Sequence, residues 1–300
     1  MSLTVKTKKW IENNAPVSLK GKTVVVTGAN SGVGYKTAET MLYLGADVIL
    51  ACRNQQRAGA ARETLAAGYP ESKVSVMPLD LADFASIDAF VESLKGRDID
   101  VFVNNAGALH QPGKKTRQGF DLVMGTNYIG TYYLTQKLLP SLQSLPHEVA
   151  YFNTISLLYK AGTVDFEDFY YTRNYHAMPV YNRSKMCLAK YTYHTARKLE
   201  GTNVRMYMCH PGISITPLGL NAVAPVISYL GNLFRWMFNS PEKSSLSVAY
   251  ALSRSLPVGT IVGPRKGFGG WGYPEVNPIC KEATRGAEEL IAFTEREIRH

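Results

Sequence analysis

The sequence predicts a single α/β domain built on a doubly wound parallel sheet of about seven strands, and three observations carry that expectation. Short β-branched runs alternate with helix-compatible patterns from residue 23 onward. A glycine-rich segment, Thr27 to Gly34, joins the first run directly to the first helical pattern. Each polar cluster suited to chemistry then falls at the end of a run or on the helix that follows, where open α/β sheets hold their ligands.

Taken in order, residues 23–27, 47–51, 74–79, 100–103, 149–155 and 204–209 read as strands. Residues 33–44, 54–66, 85–95, 117–143 and 179–199 carry helical patterns between them. Such alternation implies βαβ units with right-handed crossovers and a sheet covered on both faces. The pattern changes after Pro211-Gly212. Residues 217–238 are apolar with bulky aromatics, interrupted by Asn221, Asn232 and Arg235; a glycine-rich patch (259–272) and a charged helix (about 281–298) follow. No repeat or low-complexity linker is visible, and 300 residues fit one large domain over 21–300, preceded by a basic extension over 1–20.

Apolar content of 45% with 19% charged residues excludes a disordered chain. The four cysteines (Cys52, Cys187, Cys209, Cys280) have no C-x-x-C spacing, which predicts reduced thiols in a reducing compartment, without a disulfide framework. The six histidines show no ligand spacing either, so no metal is expected. Net charge is 33 − 24 = +9, part of it from Lys6, Lys8, Lys9, Lys20 and Lys22 against the single acid Glu12. An anionic membrane surface or nucleic acid could use that charge. A solvated basic tail is the plainer expectation, since no nucleic-acid motif accompanies it. The first 20 residues lack the apolar core of a signal peptide, which predicts a soluble, cytoplasmic protein.

Thr27-Gly28-Ala29-Asn30-Ser31-Gly32-Val33-Gly34 has the form of a nucleotide-binding turn. Gly28 allows a tight turn, Gly32 a close approach to a pyrophosphate and Gly34 close helix–strand packing, with free amides at the helix start. The second strand ends in Cys52-Arg53-Asn54, where an NAD site wants a carboxylate for the ribose 2′-hydroxyl. An arginine beside that place suits a 2′-phosphate, so NADP(H) is the expected cofactor. Asp80-Leu81 fits either a partner for the adenine amino group or the cap of the next helix. Asn104-Asn105-Ala106-Gly107 closes the fourth strand, where small residues leave room for adenine and ribose.

Tyr-x-x-x-Lys occurs three times, at Tyr69–Lys73, Tyr133–Lys137 and Tyr181–Lys185. Only the third lies downstream of the glycine turn, the Asn-Asn-Ala-Gly and Ser156, which ends the fifth strand. At i, i+4 the Tyr181 and Lys185 side chains share a helix face. Bringing a tyrosine pKa from about 10 to about 7 takes roughly 4 kcal/mol of preferential phenolate stabilisation, for which Lys185 and the positive nicotinamide are available sources.

With these motifs in this order, residues 20–215 resemble the short-chain dehydrogenase/reductase family. Ala51-Cys52-Arg53-Asn54, Ser156 to Gly162 and His210-Pro211-Gly212 are most similar to its retinol dehydrogenase-like branch. The resemblance implies a Rossmann-type fold and a catalytic tetrad of Asn127, Ser156, Tyr181 and Lys185. Tyr181 would be the general acid/base, Ser156 would hold the substrate oxygen, and Asn127 would support a water joining Lys185 to solvent. Lys185 would also hold the nicotinamide ribose, Pro211-Gly212 would pass beneath the nicotinamide and Thr216 would bond its carboxamide. His210 is expected to pack near the cofactor without a catalytic role.

The resemblance places residues 213–242 in the substrate-lid region. Their apolar side chains imply a lipophilic ketone, aldehyde or alcohol, steroid- or retinoid-like. Membrane-surface docking and packing against a second copy of the chain are the other uses of such a segment. Two further functions fit the same residues: a catalytically silent NADP(H)-binding sensor, and a reductase of an activated C=C bond. Scaffold-only members tend to lose the tyrosine or the lysine, and here both remain.

Overall fold

The computed structural model describes residues 2–109, 111–173, 175–213 and 239–299. Among them one eight-stranded sheet runs in the order β3-β2-β1-β4-β5-β6-β7-β8. The strands are β1 (Thr23–Thr27), β2 (Asp47–Cys52), β3 (Val74–Pro78), β4 (Val101–Asn104), β5 (Val149–Thr154), β6 (Val204–Cys209), β7 (Ile261–Arg265) and β8 (Trp271–Asn277). The first seven are parallel and β8 is antiparallel to β7. The order reverses between β1 and β4, which opens a crevice at the C-terminal ends of those strands.

The valine-rich β1 explains its central place, because a strand covered on both faces needs apolar side chains in both directions. Val24 and Val26 pack in one layer with Ala38, Met41 and Leu42 of α2 (Gly32–Tyr43), while Val25 packs in the other with Ile49, Phe102 and Tyr151. Four further helices complete the two layers: α3 (Gln55–Gly68), α4 (Phe84–Leu94), α6 (Thr131–Gln143) and α7 (Ala177–Lys198). Between α4 and α6, a short turn α5 (Leu122–Met124) runs into a π-helical segment, Gly125–Gly130. The expected helix over 117–143 thus starts at Leu122, with Asp121 as its cap accepting from the Val123 and Met124 amides.

Three elements depart from the sequence expectation. Val5–Asn14 forms a helix, α1, where a solvated tail was the plainer reading; Leu3 and Ile11 are buried and Trp10 stacks on Tyr273 at 5.0 Å. The glycine-rich patch holds β7, and an eighth strand at its end pairs antiparallel with it, from Ile261 opposite Asn277 to Pro264 opposite Pro274; Pro274 lies on that edge strand, where proline is tolerated. The C-terminal helix divides into a 3₁₀ turn, Lys281–Thr284, and α11 (Ala287–Arg299). Between β6 and β7 lie α8 (Pro241–Ser244) and α9 (Leu246–Leu252), and the short α10 (Lys266–Gly269) joins β7 to β8. All four cysteines are free thiols, and Cys52, Cys187 and Cys209 are buried. Among the described residues no helix is long and apolar enough to cross a membrane, and no cluster of metal-ligating side chains occurs.

Candidate active site

A cavity of about 700 Å³ opens at the C-terminal ends of the parallel strands, across the point where their order reverses. The glycine turn forms one wall. Gly28 sits at φ +66°, and a Cβ there would come within 2.9 Å of the Ala106 Cα, so a side chain is excluded by both conformation and space. Ser31 is the N-cap residue of α2 but its side chain makes no capping hydrogen bond. The first-turn amides of α2, beside Gly32, Val33 and Gly34 in the cavity wall, are thereby left to an anionic guest. Asn30 and Ser31 complete this wall.

Opposite it, the Thr27 hydroxyl accepts from the Asn105 and Ala106 amides, both at 2.9 Å, and the Asn105 side chain donates to the Thr27 carbonyl at 3.0 Å. Asn105 therefore bridges the ends of β1 and β4. Asn104 points into the sheet and donates to Tyr151 and Asn153.

At the far end of the cavity stand exposed Arg53 and Asn54, with Asn54 accepting from the Arg57 amide as the N-cap of α3. Arg57 also lines the cavity, which the sequence reading missed; its signal was the four-residue spacing from Arg53 across a capped helix start. Asp80 and Leu81 line the cavity too. The N-cap of α4 is Asp83, which accepts from the Ala85 amide, so the capping alternative for Asp80 does not hold.

Ser156, Tyr181 and Lys185 lie together at the other end, with Pro211 and Gly212 beside them. Ser156 follows β5 as N-cap of a 3₁₀ turn, and the other two project from α7. Burial raises the Tyr181 phenol above its ordinary value, and the neighbouring Ser156 hydroxyl offsets part of that rise. Burial lowers Lys185 to about 8. Its ammonium donates to the Thr154 carbonyl at 2.9 Å and sits 5.9 Å from the centre of the Tyr181 ring. The lysine is thus near the phenol, as its helical spacing predicts, with a strand-end carbonyl as its hydrogen-bond partner.

Asn127 does not line the cavity. From the π-helical segment its side chain accepts from the Ala108 amide (2.7 Å) and donates to the Ala108 carbonyl (2.9 Å) and the Ser184 hydroxyl (3.0 Å). A Cβ on Gly107 would lie 3.0 Å from the Asn127 oxygen and 3.8 Å from the Lys185 nitrogen, so the glycine leaves these two groups facing across its own backbone. Thr216 lies outside the described residues, as does 217–238. Gln111, Lys114, Thr126 and Thr154 also reach the cavity and were not anticipated.

His210 is buried, and that burial lowers it to about 4. Its Nδ1 accepts from the Gly212 amide at 3.3 Å, and the ring packs against Gly263. It is a packing histidine under the Pro211-Gly212 loop. The other Tyr-x-x-x-Lys copies stand elsewhere. Tyr133 and Lys137 share the carboxylate of Asp88 at the surface, and Tyr69 follows the last residue of α3.

A doubly wound sheet with a glycine turn, and a Ser-Tyr-Lys group at the far end of the same cavity, defines an oxidoreductase of the short-chain dehydrogenase class. The family model for short chain dehydrogenases matches residues 22–150. Retinol dehydrogenase 14 from Mus musculus is 40% identical over 237 residues, covering 74% of this chain and 70% of that protein. Retinol dehydrogenase 13 from Homo sapiens is 33% identical, covering 78% and 72%. The chain belongs to the short-chain dehydrogenase/reductase family, in its retinol dehydrogenase-like branch. Among solved structures, an uncharacterised protein from Mycobacterium paratuberculosis superposes with a TM-score of 0.76 at 30% identity, over 94% of this chain and 95% of that one. L-Sorbose reductase from Gluconobacter frateurii, solved with NADPH and L-sorbose, shares the fold at a TM-score of 0.65 and 21% identity, over 82% and 95%.

Proposed function

We propose that this protein is an NADP(H)-dependent reductase or dehydrogenase that interconverts a carbonyl and an alcohol on a lipophilic substrate, acting in the cytoplasm. One observation carries the reading: a single cavity runs from the carboxylate-free end of β2, with Arg53 and Arg57, to Ser156, Tyr181 and Lys185. The donor set suits NADP(H). The uncapped amides of α2 suit its diphosphate, the two guanidiniums its 2′-phosphate, and Asp80 its adenine amino group.

NADP(H) supplies or accepts the hydride. The protein manages the proton and the oxygen. Tyr181 gives its hydroxyl proton to the carbonyl oxygen in reduction and takes the alcohol proton in oxidation. Ser156 donates to the same oxygen, a bond that strengthens as negative charge develops there. Lys185, held by the Thr154 carbonyl, places a positive charge beside the phenol and keeps donors free for a ribose. Asn127 fixes the Ala108 backbone and Ser184 behind Lys185, a position suited to holding a water in the proton path.

The lipophilic substrate class is supported by the apolar composition of 217–238 and by the retinol dehydrogenase relatives. Purified protein should oxidise NADPH faster than NADH, and faster with retinals, steroids or apolar ketones than with small polar sugars. The reverse substrate ranking would sink the lipophilic assignment. Tyr181→Phe should lower turnover by at least ~100-fold while NADPH still binds; full activity in that variant would refute the proton role.

A further inference from the structure

We propose that Glu242 is a positioning residue that ties α1 to the Pro211-Gly212 loop and so sets the cavity floor at its Tyr181 end. This rests on the cofactor reading above. Three elements distant in sequence converge on the turn that carries Glu242.

The first is α1. The Thr4 amide and hydroxyl donate to one Glu242 oxygen at 2.7 and 2.8 Å, across 238 residues of sequence. Thr4 is also the N-cap of α1, so the helix start itself is pinned to the carboxylate. Two more contacts hold the helix on the same region: Trp10 stacks on Tyr273 of β8, and Arg254 donates to the Asn14 carbonyl at 2.8 Å. The second element is α2, the helix that opens from the glycine turn. Its Thr40 hydroxyl lies 2.9 Å from that of Ser245, which in turn donates to the Glu242 carbonyl at 2.7 Å.

The third is the cavity floor. Two residues two positions or more from Glu242 converge on one acceptor, the Pro211 carbonyl: Ser244 donates to it at 2.7 Å and Asn239 at 3.2 Å. The Asn239 amide donates to the Ile213 carbonyl at 2.8 Å, and its side-chain oxygen accepts from the Gly272 amide at 3.1 Å. Pro211 and Gly212 line the cavity beside Tyr181. One donor would satisfy the Pro211 carbonyl; a second donor, on a turn itself tethered to α1 and α2, limits where the loop can sit. Glu242 supplies charge-assisted bonds to that tether, roughly twice as strong as neutral ones.

Glu242→Ala, Thr4→Val and the conservative Glu242→Gln can be compared with the unaltered protein in NADPH and 2′,5′-ADP titrations, thermal melting, and amide exchange at Gly212 and Ile213. The nucleotide 2′,5′-ADP reaches only the Arg53 end of the cavity, so it reports general damage to the fold. Glu242→Ala should weaken NADPH roughly fivefold or more and leave 2′,5′-ADP unchanged. Exchange at Gly212 and Ile213 should be faster, Thr4→Val should reproduce the effect in part, and Glu242→Gln should restore most of the NADPH affinity. Equal weakening of both ligands, or a lower melting temperature with both affinities and both exchange rates unchanged, would overturn the proposal. If the unaltered protein binds neither ligand, the cofactor reading fails. The exchange rates then judge the tether alone: faster exchange in Glu242→Ala upholds it, and unchanged exchange overturns it.

Discussion

Burial acts in opposite directions on the two groups that share the α7 face: it raises the Tyr181 phenol and lowers the Lys185 ammonium to about 8. A raised phenol is held protonated at neutral pH, the form that donates to a carbonyl oxygen. Carbonyl reduction should therefore hold level through neutrality and fall in alkali, while alcohol oxidation should climb with pH. Initial rates in both directions across pH 6 to 10 check this, and an oxidation rate that falls with rising pH would contradict it. His210 gives a second pH effect, on stability. Its folded pKa of about 4 lies below the ordinary 6.5, so between those values the unfolded chain holds more protons. Its stabilising effect is complete above 6.5 and is lost as pH falls through that window, by about 2 kcal/mol between pH 7 and pH 5. His210→Gln should show a smaller drop in melting temperature from pH 7 to pH 5 than the unaltered protein. The neutrality of His210 was legible only as a packing expectation, because the ring's burial depends on Gly263, 53 positions away.

Among the elements, the β2–α3 junction concentrates positive charge at one end of the cavity. Arg53 follows the strand, Arg57 stands about one helical turn further, and neither has a carboxylate partner among the described residues. Arg53→Asp should reverse the preference between NADPH and NADH, shifting the ratio of kcat/KM values by roughly 10- to 100-fold, the worth of one or two charge-assisted bonds. Arg57→Ala should weaken NADPH without moving NADH. Steady-state kinetics with both cofactors test the pair, and an unchanged ratio in Arg53→Asp would remove the 2′-phosphate from this end. Local chemistry made this junction readable, since strand periodicity, the glycine turn and the missing acid all lie within a few residues of one another. The same held for Ser156, Tyr181 and Lys185, whose order along the chain matched their meeting in space. Asp80 was undecided because a carboxylate after a strand satisfies two local rules at once, and only the position of Asp83 separates them. β8 escaped because glycine and proline weaken a strand pattern, whereas its pairing with β7 depends on a register that sequence spacing does not show.

At the scale of the molecule, the helices at the two ends of the described chain are packed against its body. α11 closes over the aromatic layer beside α7, where the buried Tyr128 hydroxyl meets that of Thr294 at 2.7 Å. Thr294→Val keeps the shape and strands the Tyr128 hydroxyl, which should cost about 1–3 kcal/mol of stability. Chemical denaturation measures this directly, and the double variant with Tyr128→Phe should recover most of the loss. At the other end, α1 was read as a tail because its lysines dominate the composition. Helix formation follows instead from Leu3, Ile11 and Trp10, whose partners are Tyr43 and Leu44 at the end of α2 and, more than 230 residues away, Leu246, Tyr250 and Tyr273. Long-range burial of a few apolar side chains overrode a local excess of charge, and nothing nearby in sequence announced it.

The hydrogen bond from the Asn239 amide to the Ile213 carbonyl gives the chain a doorway. It joins two positions 26 residues apart in sequence, one at the cavity loop and one at the turn before α8. The cost of such a join depends only weakly on the length of chain between its ends, each doubling adding about 0.6 kcal/mol. A change of length between residues 213 and 239 should thus leave the sheet, the glycine turn and the Ser-Tyr-Lys group in their geometry.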